Sequence, residues 1–402
     1  MLPTALAALF LALAAPPADF PALGKEIAAI VEEHFYDAAR ARQWAVRNAS
    51  YAAGLTEAES FHRATRERLQ ELATSHTQYY TPDDVGYHQL LAIFEAYLQR
   101  WPRYESIGAD LVEREGQEGG WFVARTFPGS PAETAGLLRG DRIATAQGAP
   151  FSPLRAFRGK AGREVMLGVE RKRGEPLLQV PVVPREVHPK DEWLAAEQQS
   201  FHIATDHGHR IAYALLWVCG GEEPQRLLAE ALAGPLAGAE ALVLDFRGGW
   251  GGCDPSFLNL FNPTAPELTR IDRQGHRETS GPSWKKPLVL LVDGGSRSGK
   301  EVVARAIQRH RLGTLVGERT ATAVVAGQPF LLSDGSLLLL ATSDIRVDGE
   351  RLEGVGVEPE VRVPAELPYA QGRDPQLERA LEIAGRPAAP AAPAIEPRRS
   401  GR

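Results

Sequence analysis

An α/β core, joined to a helical N-terminal region and a β-rich insertion, is the fold class this sequence predicts, and three observations predict it. From about residue 209 onward, apolar runs of strand length alternate with helical stretches, the pattern of a largely parallel sheet covered by helices. Residues 19 to about 100 carry apolar side chains at helical spacing. Between them, from about 104 to 185, the chain changes to short strands and glycine turns. A chain of 402 residues, 44% hydrophobic and 24% charged, has the composition of a soluble globular protein of two or three domains. Its net charge of -6 leaves no basic excess to track a phosphate backbone, so no nucleic-acid partner is expected.

The first segment, 1–18, reads as a signal peptide. Leu2 to Leu13 form a short apolar run, and Ala12-Leu13-Ala14 supplies the small-x-small pattern that a signal peptidase accepts. The run is too short for a permanent transmembrane helix. The mature protein is therefore expected in the periplasm or outside the cell, without a stable membrane span. In the helical region, 19–103, Ile27, Ile30, Val31 and Phe35 share one face of a first helix. Phe61, Leu69 and Leu72 mark a second over about 57–72, which Tyr79-Tyr80-Thr81-Pro82 breaks. Leu90, Leu91, Phe94 and Leu98 mark a third over about 85–98. These helices read as a cap or platform.

The insertion, 104–186, opens with a strand at Trp121-Phe122-Val123-Ala124. It continues through Pro128-Gly129-Ser130-Pro131-Ala132-Glu133-Thr134-Ala135-Gly136-Leu137 to Arg139-Gly140-Asp141-Arg142-Ile143. Gly140 suits a turn where a side chain would clash, and Asp141 can bond back to the local backbone. This series resembles the middle of a PDZ domain, and 165–169 and 177–183 supply further strands. The resemblance implies a peptide groove near 106–111, with Ile107, Gly108, Ala109 and Leu111 taking the C-terminus of a peptide or protein.

In the core, 187–385, strands are expected over 210–218, 241–246, 286–292 and 313–316, with helices over 224–236 and 298–310. Ligands of open α/β sheets bind at the carboxyl ends of the strands, and two strand ends stand out. Leu244-Asp245-Phe246-Arg247 runs into Gly248-Gly249-Trp250-Gly251-Gly252, where backbone N–H groups can approach a ligand closely. Leu291-Val292-Asp293 turns through Gly294-Gly295 to Ser296-Arg297-Ser298-Gly299-Lys300-Glu301, which sets the Ser298 hydroxyl at a helix N-terminus. By itself Ser298 reads equally as a helix cap. His202, Asp206, His207 and His209 lack an H-E-x-x-H pattern, so neither a metal nor a cofactor is expected. The two cysteines, Cys219 and Cys253, fall at the same carboxyl edge of the predicted sheet. Both a bridge and two separate buried thiols remain open. The Pro/Ala-rich tail, 386–402, is expected to be disordered.

"LDFRGGWGG" and "VDGGSRSGKE", followed by "LVGERTATAVVAG", "LSDGSLLLLATSDIRVDG" and "RLEGVGVEPEV", resemble in order the motifs of the C-terminal processing and tricorn-type serine peptidases. The resemblance implies a core of the crotonase/ClpP-like type with Ser298 as nucleophile. It implies an oxyanion hole of Gly299 with Gly251 or Gly252. The C-terminal processing branch takes a lysine as base in "G-E-x-T-x-G-K-G", but that slot here holds Ala323. The tricorn-type branch takes a histidine in "L-x-T/D-S-H", matched by Leu72-Ala73-Thr74-Ser75-His76, and a glutamate matched by Glu353. His76 is then the base, oriented by Glu353 through Ser75. Lys300, two residues past Ser298 on the same helix, is expected to be solvated or to contact substrate, and Lys300→Ala to be mild. The expected activity is exported peptide-bond hydrolysis. An inactive peptide-binding protein of the same fold, or a serine hydrolase of non-peptide esters, are the alternatives.

Overall fold

The computed structural model describes residues 19–386, apart from 117, 118, 265 and 282. The signal-peptide segment and, except for Arg386, the predicted tail lie outside the described residues. The centre of the molecule is a six-stranded sheet in the order His202–Asp206, His209–Leu215, Ala241–Asp245, Leu288–Val292, Thr314–Gly317, Val361–Arg362. The first pair is antiparallel and every later pair parallel. Ala241–Asp245 and Leu288–Val292 are buried at every position, as expected of parallel strands covered on both faces.

Strand alternation sorts the two faces. Leu242, Leu244, Leu288, Leu290 and Val292 pack under helices Glu222–Ala233 and Gly299–Arg309. Ala241, Val243, Val289 and Leu291 pack under Ala380 and Ala384 of helix Pro375–Ala384. That last helix was not among the sequence expectations, although Asp374 caps it and Pro375 opens it.

The N-terminal helices Phe20–His34, Ala38–Asn48 and Ala58–Gln70 cover a second sheet of three antiparallel strands, Gln78–Tyr80, Leu337–Ser343 and Ala326–Leu331. The platform is therefore part of the core, because residues 78–80 pair with 337–339 across most of the chain. Helix Ala38–Asn48 is an addition to the sequence reading. Asp37 caps it, and Trp44 Nε1 donates to Arg68 O at 2.7 Å to tie it to the next helix.

Residues 109–182 form a separate antiparallel β domain with its own buried cluster around Val123, Ile143, Phe157, Val165 and Leu167. Asp141 accepts from Leu138 N at 2.9 Å and pairs with Arg171. Gly140 has φ 89°, and a Cβ there would lie 2.2 Å from Ala370 N. The glycine is thus needed for the 367–370 segment to close on the domain. The β domain docks on the sheet through Arg125, which donates to Tyr213 Oη and to Asp245 Oδ2, both at 3.0 Å. Asp245 is wholly buried and also grips Arg247, and these two guanidinium groups hold its carboxyl well below the usual carboxylate range.

Candidate active site

Two strand-end turns are laced into one unit. Asp293 Oδ1 accepts from the N–H groups of Gly248 and Gly295, each at 2.9 Å. Ser296 Oγ donates to Phe246 O at 3.0 Å. The turn then places Ser298 at φ 57°, ψ -125°, a left-handed conformation that costs a non-glycine residue free energy and persists only when its surroundings fix it. They do: Ser298 N–H is shared between Ala323 O at 2.8 Å and Glu301 Oε2 at 3.2 Å. Glu301 is itself buried and accepts from Thr320 Oγ1 and from the N–H groups of Thr322 and Ala323. No role was read for Glu301 from the sequence, although the S-x-x-E spacing of a capping box marked it.

The glycine turn lies directly on this serine. A Cβ at Gly251 would fall 2.7 Å from Ser298 Cβ and 2.8 Å from Gly299 N, and one at Gly299 would fall 2.4 Å from Cys253 N. Only glycines allow that approach. Among the described residues, the N–H groups of Gly251, Gly252 and Gly299 donate to no acceptor. They remain available to a developing oxyanion, at the end of helix Gly299–Arg309 where the partial charge is positive.

His76 follows the end of helix Ala58–Gln70 and also sits at a positive φ, 51°. Ser75 Oγ lies 2.9 Å from His76 Nδ1 and donates to Glu353 Oε2 at 2.9 Å, while Ser75 N–H donates to Glu353 Oε1 at 2.8 Å. A hydroxyl has one proton to give. With that proton on Glu353, Ser75 Oγ accepts from Nδ1–H, and this assignment leaves the Nε2 lone pair free as a base. Glu353 also accepts from Val324 N at 2.8 Å and Val325 N at 3.2 Å. Residues 323–325 therefore hold Ser298 at one end and Glu353 at the other. At Gly327 a Cβ would lie 2.8 Å from that of His76, so the strand must pass the imidazole bare. Among the described residues no hydrogen bond joins Ser298 Oγ to the ring.

Burial, reinforced by the charge of Arg297 and opposed by Glu353, pushes the His76 imidazole down to about 4. The imidazole is then neutral across the range where an ordinary histidine would titrate. We expect the acidic limb of the kcat/KM–pH profile near 4 rather than near 6.5. A limb near 6.5 in the free enzyme would contradict it. The same shift makes stability complete above the unfolded value and lost as pH falls toward 4, because the unfolded chain takes up the proton first.

Lys300 corrects an expectation. It is neither solvated nor at the substrate: it is wholly buried, and its ammonium donates to Trp217 O at 3.1 Å, Phe246 O at 3.3 Å and Gly248 O at 2.8 Å. Burial pushes the group down to about 7. His202, Asp206, His207 and His209 do not converge: His207 bonds Asp206 and His209 bonds Glu240, and no metal-holding group occurs among the described residues. Cys219 and Cys253 are bridged, with Cα atoms 4.6 Å apart. The bridge, with the parallel contact between Val218 and Trp250, ties the glycine turn to the neighbouring strand. Closing a loop of 34 residues contributes roughly 4 kcal/mol in the chain-entropy treatment. We expect no reactive thiol in denatured, unreduced protein and a matching stability loss on reduction; two thiols per chain would rule out the bridge.

A cleft of about 1360 Å³ runs between the β domain and the core. Ile107, Ala109 and Leu111 line it from one side and Trp250 and Arg297 from the other, while Ser298 and His76 are not part of its lining. Gly108 is not part of the lining. Its N–H donates to Ser106 Oγ at 2.9 Å and its carbonyl accepts from Phe127 N, so it shapes the loop.

A serine at a strained strand-to-helix turn, free glycine N–H groups beside it and a carboxylate–serine–histidine relay together have the chemistry of a serine hydrolase. Residues 220–363 match the model of Peptidase family S41. It is similar to tricorn protease homolog 1 of Streptomyces coelicolor, 29% identical over 305 residues, which cover 69% of this chain and 28% of that protein. It is 26% identical over 285 residues to the carboxy-terminal processing protease CtpA of Bacillus subtilis, covering 67% of this chain and 58% of that one. The chain thus spans well under two thirds of the length of these relatives. The photosystem II D1 C-terminal processing protease shares the fold, with a TM-score of 0.53 at 21% identity, covering 93% of this chain and 99% of that one. The resemblance to C-terminal processing and tricorn-type peptidases read from the motifs holds. No helix of the described residues is long and apolar enough to cross a membrane.

Proposed function

We propose that the chain is an exported serine endopeptidase of tricorn-like catalytic type. The observation that carries this reading is the Glu353–Ser75–His76 relay, which leaves His76 Nε2 as a free acceptor, with residues 323–325 bonded to Ser298 at one end and to Glu353 at the other. In this reading Ser298 Oγ attacks the scissile carbonyl as its proton passes to Nε2. The N–H groups of Gly299 and of Gly251 or Gly252 take the oxyanion, and His76 returns the proton to the leaving amine. Water then hydrolyses the acyl-enzyme by the same route. The core is of the crotonase/ClpP-like type and discontinuous: 19–103 and 187–385 build it, and 104–186 interrupts it. The bridged cysteines support export to an oxidising compartment, the periplasm or the exterior. A fluorophosphonate probe tests the assignment. It should label the protein and fail to label Ser298→Ala; equal labelling of both would sink it.

The β domain is of PDZ type in this reading and holds the C-terminus of the substrate along the strand that begins at Ala109. Amidating the C-terminus of a bound peptide should weaken binding about tenfold or more, the loss of one charge-assisted carboxylate site. Equal affinity for acid and amide in a titration would remove that role. The lack of a Ser298–His76 hydrogen bond favours a second reading, an inactive peptide-binding protein. Unlabelled but peptide-binding protein would establish it, whereas labelling with turnover of esters alone would point to a non-peptide hydrolase.

A further inference from the structure

Arg297, immediately before the nucleophilic turn's serine, has a side chain whose position no catalytic step explains. Its guanidinium lies over the Trp250 ring, 5.2 Å from the centroid, and Trp250 is itself fixed by donating Nε1–H to Gln89 Oε1 at 3.1 Å. Among the described residues Arg297 forms no ion pair, and its Nε is buried without a partner. Both Arg297 and Trp250 line the cleft between the β domain and the core. The carboxylates nearest in effect do not claim it. Asp293 is spent on the N–H groups of Gly248, Gly295 and Ser296, and Asp110, across the cleft, makes no hydrogen bond and lies beyond ion-pair distance.

A guanidinium lying over an aromatic ring at the cleft wall, part-exposed and with no ion-pair partner among the described residues, suits one ligand chemistry: a carboxylate taken by N–H donors. Leaving that Nε–H unpaired is costly in the empty protein, and the cost is recovered when an anion arrives. The position fixes what the anion belongs to. Arg297 precedes Ser298, and Trp250 precedes Gly251 of the candidate oxyanion turn, so a group seated there belongs to a residue flanking the bond at Ser298.

We infer that Arg297 and Trp250 form a carboxylate-binding subsite that makes the enzyme prefer substrates carrying a negative charge next to the cleaved bond. The inference rests on the peptidase reading above and deepens it. Two sources share the chemistry, an acidic side chain and a terminal carboxylate close behind the bond.

Four peptides of one sequence separate them: Glu or Gln flanking the bond that is cut, each as free acid and as amide. The expected result is a preference of about tenfold or more in kcat/KM for Glu over Gln, or for acid over amide, the size of a lost charge-assisted hydrogen bond. Arg297→Gln should remove the preference, and Arg297→Lys should keep part of it. An acid preference that survives Arg297→Gln belongs to the groove of the β domain and counts against the subsite. Equal rates for all four peptides overturn the inference while leaving the peptidase reading intact. If no peptide is cut and no serine probe reacts, the peptidase reading falls. The subsite is then read from binding of the same peptides to the Ser298→Ala protein, where equal affinities for all four overturn it. Should Arg297→Gln fail to fold, Arg297→Lys and the four-peptide comparison on the unaltered protein decide the matter in the same way.

Discussion

His76→Ala lowers kcat as far as Ser298→Ala does, by about 10⁴–10⁶-fold, and the double variant is no slower than either single one. The reason is that the groups act as a unit. Without the imidazole no acceptor stands ready for the serine proton, and without the hydroxyl the imidazole has nothing to activate. The relay predicts a graded series behind them. Glu353→Gln keeps volume but replaces with an NH2 donor one of the two oxygens that accept here, Oε1 from Ser75 N or Oε2 from Ser75 Oγ, Val324 N and Val325 N. It should cost activity and some stability together, since those donors are part-buried. Ser298→Ala leaves the backbone at its positive φ with the same bonds to Ala323 and Glu301, so its unfolding midpoint should move little. The check is kcat for peptide hydrolysis by folded variants. A His76→Ala protein within tenfold of the unaltered enzyme would remove the histidine from the chemistry.

Lys300→Ala is expected to destabilise the fold by about 3–5 kcal/mol, the reverse of the mild effect that a surface lysine implies. The three carbonyls that Lys300 serves are not equal. Trp217 O also accepts from Trp250 N, and Phe246 O from Ser296 Oγ, whereas Gly248 O has no other recorded donor among the described residues. Alanine therefore leaves one part-buried carbonyl unpaired and opens a cavity of lysine volume in a wholly buried site. Lys300→Met fills the volume and isolates the polar part of the loss, so it should cost distinctly less. Denaturant unfolding of the two variants measures both parts, and a loss below about 0.5 kcal/mol for alanine would show that the ammonium holds nothing.

The strands ending at Asp245 and Val292 were legible because parallel strands buried on both faces read as unbroken apolar runs, with glycines marking where they stop. Ser298 was legible as a helix start but not as a nucleophile, since a cap has the same local signature. His76 and Glu353 carry no local pattern. Only the resemblance marked them, because their pairing spans 277 residues (Ser75 to Glu353, next to His76, spans 278). Strand Ala326–Leu331 was hidden by Gly327 and Pro329 inside it, residues that argue against a strand unless it lies at an edge, as this one does. Lys300 was misjudged because i, i+2 spacing says where a side chain does not point, and nothing about the two strand ends that fold over it. Arg125 and Asp245 belong to segments 120 residues apart, and a buried ion pair between domains leaves no trace in composition.

The strand pairing of residues 78–80 with 337–339 has a consequence for the order in which the protein comes into being. His76, the proposed base, is made early and Glu353, its proposed orienting carboxylate, near the end, with Ser298 between them. Contacts that close such long loops form late and slowly. A nascent or broken chain that stops short of residue 353 holds His76 without the acceptor for Ser75 and without the partner strand that seats it. On the mechanism proposed above, completing the chain is what brings the proposed base and its carboxylate partner together.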